Sequence, residues 1–278
     1  MANISAKDVK NLRDVTGIGM MDCKNALEAA SGDFDKALKI LKEKGMAVAA
    51  KRAERETSEG IILIENRINE AFMIKIGCET DFVAKNEDFR ASAQEIFSDY
   101  IKKPDSYIDS EEQTSRILAV TAKTGEKISL VELAHYIPSS GYIQHYLHSN
   151  AKVGVLVEFT CNEKTKADES FIETAKDTAM QIAAMNPLAV RPEEISEEIK
   201  KEQKEIFMKQ MADSGKPADI LEKIVMGKLN KQLSEMCLME MVFVKDNKLK
   251  IKDIISSVSK KTGDKIEIQR FTRMQIGK

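Results

Sequence analysis

Twice in this chain an apolar run closes on a cysteine and leads, after a short polar stretch, to a phenylalanine that opens an amphipathic helix. The first copy is Ala71-Phe72-Met73-Ile74-Lys75-Ile76 with Cys78 behind it, then Phe89, Ala93, Ile96, Phe97 and Tyr100 on one helical face. The second is Val153-Gly154-Val155-Leu156-Val157-Glu158-Phe159-Thr160-Cys161, then Phe171, Ala175, Ala179 and Ile182. A continuous apolar run of this length reads as a buried strand, and the helical spacing after it as a helix packed on that strand. The recurrence predicts a duplicated α/β core, although strand–helix units also arise without duplication. Ile61-Ile62-Leu63-Ile64 precedes the first run across Asn66-Arg67-Ile68-Asn69, which gives an antiparallel pair. Later, Met241-Val242-Phe243-Val244 and Lys265-Ile266-Glu267-Ile268 return to β structure, with a helix from Leu249 to Val258 between them.

Three short helices precede this core. Ser5-Ala6-Lys7-Asp8 has the form of a capping box, and Val9, Leu12 and Val15 follow at helical spacing until Gly17. A second helix runs from Met20 to Ala30; Ser31-Gly32-Asp33 then recaps the chain, and Phe34, Ala37, Leu38 and Leu41 mark a third that ends at Gly45. The pattern resembles the ubiquitin-associated three-helix fold, with Gly19-Met20-Met21 in its first inter-helix loop. Residues 46–59 hold almost no large apolar side chain and read as a partly helical linker. Beyond Pro187 to Pro192, two amphipathic helices carry Ile195, Ile199, Ile206 and Met211, then Ile220, Ile224, Leu229 and Leu233. They flank Ser214-Gly215-Lys216-Pro217 as an inserted antiparallel, coiled-coil hairpin. The expected class is α+β: a three-helix bundle over 1–45, a linker over 46–59, core subdomains over 60–140 and over 141–186 with 234–271, the hairpin over 187–233 and a short tail over 272–278.

Composition narrows the function. A chain of 278 residues with 42% hydrophobic residues suits about two domains with ordinary cores. No apolar stretch approaches the roughly 20 residues of a membrane span, and the start lacks a signal or transit pattern, so a cytoplasmic protein is expected. Cys23, Cys78, Cys161 and Cys237 form no CxxC pair and read as reduced buried thiols. Charged residues make up 32% of the chain yet balance to −2, which argues against a nucleic-acid binder and for a protein partner. The segment from Lys245 to Lys278, with ten Lys or Arg against four acids, reads as a solvated, partly irregular tail. There is no GxxxxGK[ST], GxGxxG or HExxH, so no cofactor or metal is implied. His145 and His148, three apart, form a helical metal pair only if further ligands join them, and ordinary polar histidines are the simpler reading. Ser139-Ser140-Gly141 lacks the strand–turn–helix context of a nucleophile elbow.

Function concentrates at the end of the first apolar run, in Gly77-Cys78-Glu79-Thr80-Asp81-Phe82-Val83-Ala84-Lys85-Asn86. Thr80, Asp81, Phe82 and Val83 fall at a strand-to-helix corner, where scaffolds present functional side chains. Spacing alone leaves two readings of Phe82. It lies seven positions before Phe89, and one continuous helix buries both; Asn86, a strong cap, breaks such a helix and frees Phe82. In the second copy Asn162-Glu163-Lys164 stands here, so the phenylalanine corner belongs to one half only.

Cys-x-Thr-Asp-Phe-Val-Ala-Lys-Asn at residues 78–86 resembles the signature loop of the bacterial elongation factor Ts family, the exchange factors of elongation factor Tu. Thr16-Gly17-Ile18-Gly19-Met20-Met21-Asp22-Cys23-Lys24-Asn25-Ala26-Leu27, His148 with Ala151 to Val157, and Ser214-Gly215-Lys216-Pro217 resemble further landmarks in the family's order, and the match runs from Met1 to Phe271. The resemblance implies a non-enzymatic protein that binds elongation factor Tu, GDP-bound and nucleotide-free, and ejects GDP and Mg²⁺. Phe82 then acts as a wedge beside Asp81, with Thr80 and Val83 completing the loop. Arg13, Met20 and Met21 match positions that touch the partner's nucleotide domain. His148 matches one near its phosphate loop, although Ser149-Asn150 follows where many relatives have glycine. The chain stops soon after Phe271, where longer relatives add a helix. The hairpin tip has the partner's far domains or a second copy of this chain as candidate contacts. The alternatives are an adaptor whose three-helix module binds ubiquitin-like proteins and a metal hydrolase built on His145, His148 and Asp81.

Overall fold

The computed structural model describes residues 4–138, 140–211 and 217–277. Helix α1 (Ala6–Thr16) starts at the expected capping box: the Asp8 N–H donates to Ser5 Oγ at 3.2 Å and the Ser5 N–H to Asp8 Oδ2 at 3.0 Å. It ends where Gly17 turns left-handed at φ 65°. Helix α2 (Met20–Ala29) places Met20 and Met21 in its first turn rather than in the loop before it. Helix α3 (Phe34–Lys51) closes the bundle over Leu12, Cys23, Leu27, Ala37 and Leu41. It does not stop at Gly45, and the segment read as a linker from residue 46 begins inside it.

The first half of the core runs β1 (Glu59–Arg67), β2 (Glu70–Cys78), α4 (Asp81–Lys85), α5 (Glu87–Lys102), α6 (Glu111–Thr124) and β3 (Ser129–Tyr136), with the strands antiparallel in the order β1-β2-β3. The second runs β4 (Tyr142–Leu147), β5 (Val153–Thr160), α7 (Glu163–Lys166) and α8 (Glu169–Met185), then the hairpin α9 (Glu197–Gln210) and α10 (Ala218–Glu235). It continues through β6 (Val242–Phe243), β7 (Asp246–Lys250), α11 (Ile251–Thr262) and β8 (Glu267–Gln275), giving an antiparallel sheet β4-β5-β8.

Each central strand is covered on both faces, which is why it reads as an unbroken apolar run. Phe72, Ile74 and Ile76 of β2 pack on Phe89, Phe97 and Tyr100 of α5. Val155, Val157 and Phe159 of β5 pack on Phe171 and Ala175 of α8 and on Ile255 of α11. The opposite faces meet: Ala71 and Met73 lie against Leu156 and Met274. The layers are therefore helix, sheet, sheet, helix.

The halves repeat even their irregularities. Gly60 and Gly141 hold φ of 148° and 135°, and a Cβ there would lie 2.1 Å from the Ile76 carbonyl oxygen or 1.9 Å from that of Phe159. Both central strands shift register at the matching place, Lys75/Ile76 against β3 and Glu158/Phe159 against β8. Thr80 and Asn162 cap α4 and α7, and Asn86 and Asp168, at the same spacing, cap α5 and α8. Helices α6 and α11 both end on a left-handed glycine, Gly125 and Gly263.

Helix α3 continues because Gly45 lets it lie on α6; a Cβ there would stand 3.0 Å from Ala122 Cβ and 3.3 Å from the Leu118 carbonyl oxygen. The hairpin packs through Ile195, Leu229 and Leu233 with Ile199 and Phe207, while its Ser214-Gly215-Lys216 turn lies outside the described residues. The basic end of the chain is not an irregular tail. Leu249 belongs to β7, and the helix begins only at Ile251. Thr272 to Gln275 continue β8 along β5, with Met274 fully buried. Four of the cations there are engaged: Lys245 with Asp177 at 2.6 Å, Lys250 and Lys252 with Glu240 at 2.9 and 2.8 Å, and Arg270 with Glu158 at 2.8 Å.

Candidate partner-binding surface

The corner after β2 is built by two caps and one carboxylate. Thr80 Oγ1 accepts from the Val83 N–H at 3.4 Å and starts α4. Asn86 Oδ1 accepts from the Asp88 and Phe89 N–H groups at 2.8 and 3.2 Å and starts α5. Because Asn86 is extended at φ −67°, ψ 132°, the two helices are not continuous. Phe89 turns into the core at 1% exposure, and Phe82 stands out at 82%. Val83 packs partly against the core and Ala84 is buried, so the backbone is fixed from beneath while the ring points away. The second half bears on this, since Lys164 occupies the position of Phe82 between equivalent caps. The fold does not require an aromatic ring there.

Glu126, just past the end of α6, locks the corner. Its carboxylate accepts from the Glu79 N–H at 3.1 Å, the Thr80 N–H at 3.0 Å and the Thr80 hydroxyl at 2.6 Å. Asp264 does the same work in the second half, accepting from the Asn162 N–H at 2.8 Å and the Thr165 hydroxyl at 2.7 Å. Neither acid was identified from the sequence, yet a signal was available: Lys123-Thr124-Gly125-Glu126-Lys127-Ile128 and Lys261-Thr262-Gly263-Asp264-Lys265-Ile266 are nearly the same words. Glu79 is a second unforeseen hub. Its side chain accepts from Arg52 at 2.7 Å, Arg55 at 2.7 Å and the Lys127 N–H at 2.6 Å. Burial pushes its carboxyl up, but the Lys127 N–H and the two guanidiniums outweigh that and hold it at about 2. The Lys127 ammonium in turn donates to the Ala53 and Arg55 carbonyls at 2.6 and 2.8 Å. The segment after α3 is thus pinned by charge where it has no apolar anchor.

Asp81, half-exposed, pairs with Lys85 at 2.6 Å. That hydrogen bond first, and then the fields of Lys85 and Lys152, hold its carboxyl below the usual range. Lys152 sits in the β4–β5 turn and also pairs with Glu59 at 2.6 Å. The turn that carries His148 therefore adjoins the corner. His148 is exposed, with Nδ1 2.9 Å from the Tyr146 hydroxyl. On the other side, Lys123 lays its stem against Gly17 and brings its ammonium to 3.5 Å from Asp88. This links the α1–α2 turn to the start of α5. Beside that turn Arg13 is exposed, as are Met20, Met21 and Val15 at 52%, 66% and 66%. Lys152 thus links the corner to the His148 turn, and Lys123 links the start of α5 to the α1–α2 turn.

The helical metal pair is not formed. His145 lies on strand β4 and His148 just beyond it, and strand residues three apart point to opposite faces. Among the described residues no three His, Cys, Asp or Glu side chains gather in a way that could hold a metal ion. The four cysteines are free and buried. Burial pushes the Cys78 thiol up to about 12 and those of Cys161 and Cys237 to about 11, which removes them as nucleophiles at neutral pH. No helix among the described residues is long and apolar enough to cross a membrane.

Residues 79–278 match the family model described as elongation factor TS. Similar whole chains include the elongation factor Ts of Prosthecochloris aestuarii, 40% identical over 296 aligned residues that cover 100% of both chains. That of Aquifex aeolicus is 40% identical over 99% of this chain and 98% of its own, and that of Treponema denticola 39% identical over 99% of each.

Proposed function

This chain belongs to the elongation factor Ts family, and we propose that it binds GDP-loaded elongation factor Tu, drives out GDP and Mg²⁺, and leaves when GTP rebinds. No covalent step is involved, and the cytoplasm, where translation runs, is its compartment. A bound guanine nucleotide is held by a phosphate loop and by Mg²⁺ bridging phosphate oxygens, so an exchange factor must favour the state in which those contacts are loosened. Phe82 enters a pocket between helices of the partner's nucleotide domain. Asp81 trades Lys85 for polar groups that the intrusion exposes. Thr80 and Val83 hold the corner, Arg13, Met20 and Met21 dock beside it, and His148 lies toward the phosphate loop.

The observation that carries this reading is the 82% exposure of Phe82 on a corner that Thr80, Asn86 and Glu126 make rigid. A large apolar ring held out in water is costly to the free protein and is recovered only on binding. The test is release of labelled GDP from elongation factor Tu with and without this protein. Acceleration that rises with its concentration supports the reading. Unchanged release, together with capture of ubiquitin in a parallel pull-down, would favour the adaptor instead.

A further inference from the structure

Between the cysteine and the first cap, the corner of the first half holds one residue that the corner of the second does not. In β5 and its sequel the cap Asn162 follows Cys161 directly, whereas after β2 Glu79 stands between Cys78 and the cap Thr80. From the cap onward the spacing agrees again: cap to cap, and cap to the buried Phe89 or Phe171. The second half folds the same corner without the extra residue, so the corner does not need Glu79 to form. What Glu79 adds is a connection. Its carboxylate, whose side chain is 13% exposed, joins Arg52 and Arg55 at the end of α3 to the Lys127 N–H beside Glu126. The three-helix bundle is thereby tied at its last helix to the base of the corner. It also rests on α6 through Gly45 and Ala122, touches the start of α5 through Lys123, and is held just past α3 by the Lys127 ammonium on the Ala53 and Arg55 carbonyls.

We propose that Glu79 is a positioning residue for nucleotide exchange: it fixes the Met20–Met21 patch and the Phe82 ring relative to one another so that both meet the partner at once. This rests on the reading of the chain as an exchange factor. Two contacts on one rigid body bind with a high effective concentration for the second once the first has formed, and loosening the tie between them lowers it. The release step depends on the ring itself and is left in place. Removal of the tie therefore weakens association far more than it slows release from the assembled complex.

The experiment measures GDP release from elongation factor Tu against the concentration of this protein, giving a half-saturating concentration and a plateau. Wild type is compared with Glu79→Gln, with the Arg52→Ala/Arg55→Ala pair, which cuts the tie from its other end, and with each of these in a Met20→Ala/Met21→Ala background. We expect the half-saturating concentration to rise about tenfold in either tie variant, with the plateau largely kept. In the methionine background the further change should shrink to less than about twofold, because two changes acting through one contact are not additive. A merely structural role for Glu79 gives additive losses or a lower plateau in both backgrounds, and that result, or unchanged half-saturation, overturns the proposal. If wild-type protein does not accelerate release at all, the exchange reading fails first and this inference with it.

Discussion

Replacing Phe82 and Phe89 by alanine separates an interface ring from a core ring within one short stretch of chain. Phe82 is 82% exposed, so of the roughly 200 Å² that a phenylalanine presents only about 40 Å² is buried, or about 1 kcal/mol at ~25 cal/mol/Å². Alanine returns about half of that through its better helix propensity in α4. The net change is within about 0.5 kcal/mol, a shift in melting temperature below about 2 °C for a chain of this size. Phe89, at 1% exposure on the β2 face of α5, should cost about 3–5 kcal/mol and about 10 °C. Exchange should invert this order. If the partner buries the remaining ring area of about 160 Å², the gross loss on truncation is about 4 kcal/mol; ordering costs reduce it to about 2–3, a 30- to 150-fold fall in GDP release at subsaturating protein. Phe82→Lys, which installs the residue type found at Lys164, should fold equally well and exchange equally poorly. The assays are calorimetric melting and stopped-flow release of a fluorescent GDP analogue. A Phe82→Ala protein that melts more than about 6 °C early, or that keeps release within about threefold of wild type, would refute the reasoning.

If the Phe82 corner acts chiefly on the Mg²⁺ shell, EDTA alone should speed GDP loss from elongation factor Tu, and the protein should add a smaller factor on top than it does with Mg²⁺ present. Equal fold-acceleration in both conditions would move the action to the phosphate loop or base. Glu79 is held at about 2, below its ordinary 4.5, so its stabilisation is full above pH 5 and is lost as pH falls from there toward 2. Wild type should lose about 2–3 kcal/mol more over that window than Glu79→Gln in urea melts, and parallel curves would contradict the clamp. Deleting Thr272–Lys278 removes the end of β8 with Met274 and Ile276, at 0% and 6% exposure. Lost burial of about 5 kcal/mol should unfold the second sheet, seen as loss of amide protection along β5, and a stable truncated protein would disprove the pairing.

Local pattern carried a large part of this protein. The capping box at Ser5, the left-handed turn at Gly17, the break at Asn86 and the buried strands β2 and β5 follow from a few adjacent residues, because caps and turns are decided over one turn of chain. The same local logic kept Phe82 and Phe89 apart, although spacing alone allowed one helix. Tertiary structure decided what depended on partners far along the chain. The third helix runs past Gly45 because α6 lies beneath it, a neighbour the sequence does not announce. The basic end of the chain looked solvated because its acids are elsewhere, Asp177 for Lys245 and Glu158 for Arg270, and the last strand gains its order only by pairing with β5. Helix α6 and strands β3 and β4 went unread for the same reason. The candidate site divides likewise. Thr80 to Val83, Met20, Met21, Arg13 and His148 could be named from sequence, but Glu126, Glu79, Arg52 and Arg55 could not. A carboxylate declares its role only when the fold brings it to its donors, and here the donors of Glu126 lie 46 and 47 residues away.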